Sequence, residues 1–231
     1  MKVSVQSVGG PEPPCWLAFV HTLTMSLGSK MHFRSKRALR EIEVLLSLKR
    51  LIMGVKDCFN IYNQLLNKKY ILHIEDDLKL ELTFSKDNLK HLLGLHKLSD
   101  VTFTNNEALV VYNLIKKGII NDSILRKSIK FPLIEERILY FHIIPILLQS
   151  KIIIDFDPSK IPDKTYTSKL QKTKYILYNH LENGFVAHLT LAERACNTSK
   201  YYPETFFIEH SNMYISDQEL KDIIKIEIVS L

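Results

Sequence analysis

Apolar residues recur at helical spacing in the first half of the chain and alternate in the last third. Residues 33–52 (FRSKRALREIEVLLSLKRLI) carry Leu and Ile at helical spacing against a basic face, which predicts an amphipathic helix. Met53 opens a second helix, predicted over Val55 to Asn67, with Val55, Phe59, Tyr62, Leu65 and Leu66 on one face. The period then drops to two. Tyr70, Leu72 and Ile74 alternate with Ile71, His73 and Glu75; after Asp76-Asp77, Leu78, Leu80, Leu82 and Phe84 alternate with Lys79, Glu81 and Thr83. This predicts a hairpin with one buried face. Ser85 is placed to cap a helix over Lys86–Leu93. Further helices are predicted at 105–117, closed by Gly118, at 121–128, and at 133–149. The last is nearly all apolar apart from Glu135, Glu136, Arg137 and His142. It reads as a buried central helix that kinks or breaks at Pro145.

The C-terminal third predicts strands at Lys151–Phe156, Pro203–His210 and Ile223–Leu231, with a polar loop over 157–172. Thr173–Leu181 and Phe185–Glu193 form a hairpin around Glu182-Asn183-Gly184. A three-residue loop ending in Gly184 pairs Leu181 with Phe185, Leu177 with Leu189 and Tyr175 with Leu191. That register gives one apolar face. The other face then carries Lys174, Ile176, Tyr178, His180, Val186, His188 and Thr190, so the register separates a core from a candidate site.

Composition narrows the classes. The 231 residues are 46% hydrophobic and 24% charged, as in an ordinary globular chain. Seven Gly and no GxGxxG or GxxxxGK[ST] argue against a Gly-rich phosphate loop. The +6 charge is uneven. Residues 1–52 hold eight Lys and Arg against Glu12, Glu41 and Glu43, and the remainder holds 23 basic and 22 acidic residues. The sequence is therefore read as a basic N-terminal extension, 1–52, and a single domain, 53–231. The extension is expected to derive from upstream translation or a fused leader. Cys15, Cys58 and Cys196 are widely spaced and odd in number, so incidental or buried thiols in a reducing compartment are expected rather than a disulfide framework. No apolar run reaches 18 residues, and His21 interrupts the one stretch that resembles a signal core, so neither a spanning helix nor a signal peptide is expected.

Candidate chemistry gathers in three places. His91 and His96 flank Gly94. On a continuous helix they would stand about 140° apart; if Gly94 ends the helix, they converge. Histidine is the natural acid or base near neutral pH, although two polar residues beside a buried Leu ridge would look the same. Lys169, Lys172 and Lys174, with Thr165, Thr167, Ser168 and Thr173, form the best local basic patch, suited to phosphate or to simple solvation. In Pro203–His210, Phe206 and Ile208 face the core while Thr205, Phe207 and Glu209 point away, and the Thr205 hydroxyl would meet a phosphate. No HExxH, zinc-spaced His/carboxylate pair or GxSxG is present, so no metal or cofactor is expected.

Asn67-Lys68-Lys69-Tyr70, the hairpin, Asn88-Leu89-Lys90-His91-Leu92-Leu93-Gly94-Leu95-His96-Lys97-Leu98 and Pro203-Glu204-Thr205-Phe206-Phe207 together resemble a phage-associated nuclease family of the barnase–EndoU–colicin–RelE-like (BECR) superfamily, over residues 53–231. The resemblance implies an α+β fold, with N-terminal helices and a β-hairpin packed on a C-terminal curved antiparallel sheet. It implies metal-independent RNA cleavage by 2′-hydroxyl attack, with His91, His96 and, more loosely, Thr205 at the site. The face argument adds His188 and Lys174 to the catalytic set. Lys97, Arg137, Lys169, Lys172 and Tyr178 complete it as substrate contacts, although Arg137 would equally pair with Glu135 or Glu136. The expected partners are RNA and a cognate inhibitor or antitoxin, with no membrane, in the cytoplasm of a host cell. Two rival readings stay open: a non-catalytic nucleic-acid- or protein-binding module on the same fold, and a phage host-interaction protein acting through helix 33–52.

Overall fold

A computed structural model describes residues 53–161, 170–195 and 199–231. The N-terminal extension with its basic helix, Lys169 and Cys196 lie outside the described residues.

Helix α1 (Val55–Leu65) buries Val55, Cys58, Phe59, Tyr62 and Leu65, the face that the 3.6 period marks. Its first turn is closed from both sides: Gly54 N–H donates to Asp57 (3.0 Å) and Val55 N–H to Asp122 (3.0 Å). Cys58 is a free, buried thiol, and burial pushes its pKa well up, so it packs as a small hydrophobe. Strands β1 (Lys68–Ile74) and β2 (Lys79–Thr83) form the expected hairpin, with Tyr70 opposite Leu82 and Leu72 opposite Leu80. Asp76 and Asp77 both take positive φ in its turn, as primed hairpin turns require.

Ser85 does not cap the next helix. Its N–H and hydroxyl both donate to Asn88 Oδ1 (2.9 Å each), so the cap runs backwards, and α2 (Asn88–Leu92) is shorter than expected. Helices α3 (Ala108–Lys116) and α4 (Asp122–Leu125) follow. The predicted central helix is three pieces: α5 (Pro132–Leu139), a 3-10 turn at Phe141–Ile143 and α6 (Ile144–Leu147). Pro145 has no N–H to continue the ladder, and the break sets in before it, at Tyr140 (φ −99°). Among the described residues, no helix is long and apolar enough to cross a membrane.

The sheet is not an open curved sheet with a separate hairpin, as expected, but a closed barrel in the order β1-β2-β6-β5-β4-β3-β7. Its remaining strands are β3 (Ile152–Asp155), β4 (Thr173–His180), β5 (Val186–Glu193), β6 (Lys200–Glu209) and β7 (Glu219–Ser230). Closure comes from the length of β7. Its first residues pair with β3 (Ile153 opposite Lys221), and the rest pair with β1 (Tyr70 opposite Ile228), past a register shift at His73/Ile74. The sheet is also not wholly antiparallel, because Glu81 and Leu82 of β2 run parallel to Lys200 and Tyr201 of β6.

The β4–β5 hairpin has the expected register, Leu177 opposite Leu189 and Tyr175 opposite Leu191, with Gly184 at φ +81°. Leu177, Leu189 and Phe206 join the main core, which also takes in α1, α2, α3 and α5. The opposite face is covered as well. Ile154, Phe156, Ile161, Leu170, Ile176 and Tyr214 form a second cluster over it, with Tyr178 and Phe207 packed alongside.

Candidate active site

Only two residues of β2 pair with β6, and the rest of the β6 edge runs on past them. Helices α2 and α5 pack against that strand. A cleft of about 770 Å³ opens there, lined by His91, His96, Lys97, Glu136, Arg137, Glu204, Thr205, the run from Phe207 to Ser211, Met213 and Tyr214, among others.

Gly94 brings the two histidines together. It caps α2 in the left-handed region (φ +73°), and a 3-10 turn, Leu95–Lys97, leaves in a new direction. The His91 and His96 rings stand 5.1 Å apart. A Cβ on Gly94 would lie 2.9 Å from Arg137 Cδ and 3.0 Å from Ile134 Cγ2, so the missing side chain also lets the turn pack on α5. Lys90 ties the turn down by donating to the carbonyls of Thr104 and Asn106 (2.7 Å each). Both imidazoles keep solvent contact. Partial burial still lowers the pKa of each, with Lys90 adding to the effect at His91. His96 is pulled down to about 4 by burial, then by the neighbouring His91 imidazole and by the positive charges of Arg137, Lys97 and Lys90. Both rings are thus neutral near pH 7.

Arg137 comes from α5 and is buried. Its Nη1 donates to Thr205 Oγ1 (2.9 Å) and, at 3.4 Å, to the His91 carbonyl. Burial lowers its pKa to about 10, so it stays charged. Among the described residues, no carboxylate lies within ion-pair distance of it.

Glu204 and Thr205 are adjacent and both line the cleft, at a bulge in β6. Thr190 pairs with Thr205 and Leu191 with Pro203, so Glu204 is the extra residue. Pro203 has no ladder donor to lose there, and the Thr190 hydroxyl holds the bend by accepting from Thr205 N–H (3.1 Å). Glu204 accepts from the Thr173 hydroxyl (2.6 Å); burial raises its pKa, against the lowering effects of that bond and of nearby Lys172.

A family model described as phage-Barnase-EndoU-ColicinE5/D-RelE like nuclease4 (PBECR4) matches residues 54–228. The chain belongs to this nuclease family. Searches of curated proteins and of solved structures found no match.

This PBECR4 nuclease brings His91, His96, Lys97, Arg137 and Thr205 into one cleft, and Lys172 lies close enough to act on Glu204. Three other expected site residues lie outside this cleft. His188 is fully buried on the covered face, where its Nε2 meets Glu209 (2.8 Å) and its ring stacks on Phe207. It does not line the cleft. Lys174 is the extra residue of a second bulge, between Thr173 and Tyr175, and is exposed away from it. Tyr178 packs on the second cluster. The face that alternation assigns to His188 and Tyr178 is covered by Phe156, Ile161, Leu170 and Tyr214 rather than open.

Sequence reasoning passed over Glu204, Glu209, His210 and Glu136 as site residues. Pro203 inside a strand pattern was the available signal for the bulge that turns Glu204 inward. Glu209 shapes the cleft wall: its Oε1 accepts from the Ser211 hydroxyl (2.6 Å) and Met213 N–H (2.7 Å). Among the described residues, no three His, Cys, Asp or Glu gather as metal ligands do.

Proposed function

We propose that this protein is an endoribonuclease of phage or toxin-effector type that cleaves RNA without a metal ion. The observation that carries the reading is Arg137. A buried guanidinium needs an anion, and among the described residues Arg137 meets only a hydroxyl and a carbonyl, at the wall of a cleft that also holds Lys97 and two imidazoles. A phosphodiester completes its coordination in the fork geometry that guanidinium favours.

The chemistry follows from the neighbours. The neutral His91–His96 pair takes the proton of the 2′-hydroxyl, whose oxygen attacks the adjacent phosphorus. Arg137 and Lys97, with the Thr205 hydroxyl, stabilise the added charge on the phosphoryl oxygens. The half-buried Glu204 carboxyl on the cleft wall is placed to protonate the departing 5′-oxygen. The products are a 2′,3′-cyclic phosphate and a free 5′-hydroxyl. His188 holds Glu209 and through it the cleft wall; it is not the second member of the acid–base pair. The substrate in the cell would be host RNA in the cytoplasm, and a cognate inhibitor would close this cleft.

The test is incubation of purified protein with total RNA in excess EDTA, comparing wild type with Arg137→Met and His91→Ala/His96→Ala. Wild-type cleavage with cyclic-phosphate ends, lost in both variants while they stay folded, supports the reading. Undiminished cleavage by either variant moves the site elsewhere. RNA binding without cleavage by any of them replaces the enzyme with a binding module.

A further inference from the structure

One end of the cleft carries an aromatic arrangement that the proposed chemistry does not use. The β4–β5 loop fixes Phe185. Gly184 takes the left-handed conformation, the Asn183 side chain accepts from Phe185 N–H (3.2 Å), and Asn183 Nδ2 donates to the Tyr140 hydroxyl (3.0 Å). Val186 pairs with Glu209, so the next step of the ladder sets Phe185 beside His210. Their rings stack with centroids 3.9 Å apart and planes 12° apart. The imidazole edge is held by Glu136 on α5, with Nε2 to Oε1 at 2.8 Å. His210 is thereby fixed on one face and at one edge. It still exposes 57% of its side chain, and it lines the same cleft as Arg137 and Thr205. Its second face is a rigid flat surface at the cleft rim.

We propose that His210, backed by Phe185 and oriented by Glu136, is a stacking platform for a nucleobase next to the scissile phosphate, and that the enzyme therefore takes unpaired RNA. Proteins read single-stranded RNA by stacking splayed bases on aromatic side chains, a mode a duplex cannot offer. This rests on the RNA-cleavage reading and specifies its substrate. The stack also fastens the β4–β5 loop to α5, so a purely structural role must be separated from base binding.

The experiment uses the full chain and a short single-stranded oligoribonucleotide with a mapped cut, alongside versions abasic at each nucleotide flanking that cut. In wild type, one abasic position lowers kcat/KM about tenfold or more. His210→Ala lowers kcat/KM on the intact strand by a similar factor and shows no further loss on the abasic one. His210→Phe, which keeps the ring and loses the Glu136 contact, restores most of the activity. An abasic penalty that persists in His210→Ala, or an intact-strand rate unchanged by it, overturns the platform and leaves the nuclease standing. A second arm titrates 2-aminopurine-labelled oligoribonucleotide and reads quenching, which needs no cleavage. Quenching by wild type and not by His210→Ala keeps the platform even if no cut is found. No quenching and no cleavage by wild type defeats both readings.

Discussion

Two glycines with the same backbone angle separate the local cost of a side chain from its cost in packing. Gly94 and Gly118 both sit at φ +73°. An L side chain in this left-handed region costs about 1–2 kcal/mol at either position. The surroundings differ. Nothing lies within 4 Å of a Cβ on Gly118, whereas a Cβ on Gly94 meets Arg137 Cδ at 2.9 Å and Ile134 Cγ2 at 3.0 Å. Ile134 is fully buried and Arg137 nearly so, so neither moves freely, and overpacking of this kind costs about 1–3 kcal/mol more. Gly118→Ala should therefore lose about 1–2 kcal/mol and Gly94→Ala about 2–5 kcal/mol in urea unfolding. At about 2–4 °C per kcal/mol, the difference is visible in a melting curve. The two variants should also part in function. Gly94→Ala pushes on the guanidinium and swings the turn that carries His96, so RNA cleavage should fall at least tenfold; Gly118→Ala should cleave as wild type does. Equal destabilisation of the two, or full activity in Gly94→Ala, would refute the argument that Gly94 is there to seat Arg137 and join the two histidines.

Other outcomes test other parts of the site. Arg137→Met removes a buried charge with no carboxylate partner among the described residues, so it should unfold at the same urea concentration as wild type or higher, while cleavage drops about 10²–10³-fold; a large loss of stability would mean that the charge is structurally paired after all. The pKa of His96 is lowered in the folded state, so below about pH 6.5 the unfolded chain binds more protons. Folding stability should thus be fully present above that pH and decline towards pH 4, His91 and His188 acting in the same direction; stability that rises on acidification over this window would contradict the assignment. The acid limb of kcat/KM should likewise fall well below pH 6.5 and vanish in His96→Ala. Glu209→Ala should cost about 2–4 kcal/mol by stranding His188 Nε2, the Ser211 hydroxyl and Met213 N–H; a loss under 1 kcal/mol in urea unfolding would show that the cleft wall does not depend on it.

The elements were legible in the chain wherever one period dominated. Alternation marked β1, β2, β4 and β5, and Gly184 set the register of the second hairpin, because a one-residue slip there would exchange Leu177 and Leu189 for Tyr178 and His188 in the core. The turn of the chain at Gly94 was half legible: a Gly between two histidines in a Leu-rich helix can end it, but two polar residues beside a buried Leu ridge give the same pattern, and the packing of Gly94 on Arg137 and Ile134 decides between them. Closure of the barrel was not legible. It depends on which partners a long strand meets at each end, and β7 pairs with β3 through one third of its length and with β1 through the rest. Local pattern carries no information about either partner.

The site was half legible for a related reason. Alternation predicts which residues share a face and says nothing of what covers that face. His188 and Tyr178 were placed on the correct side of the sheet, but Phe156, Ile161, Leu170 and Tyr214 cover that side. A strand interior closed on both faces offers no room for a substrate, and the cleft lies instead where pairing stops. Two bulges also interrupt the alternation, leaving Lys174 exposed and Glu204 on the cleft wall. At the one in β6 Glu204 is the extra residue, and it lines the cleft with Thr205. The parallel step from β2 to β6 is limited to two residue pairs, and that short length keeps the edge open. Extending β2 pairing along β6 would satisfy more backbone and close the cleft. The sequence opposes this after Phe84, where Ser85 and Asn88 turn the chain into α2 and deliver His91 to the strand edge instead.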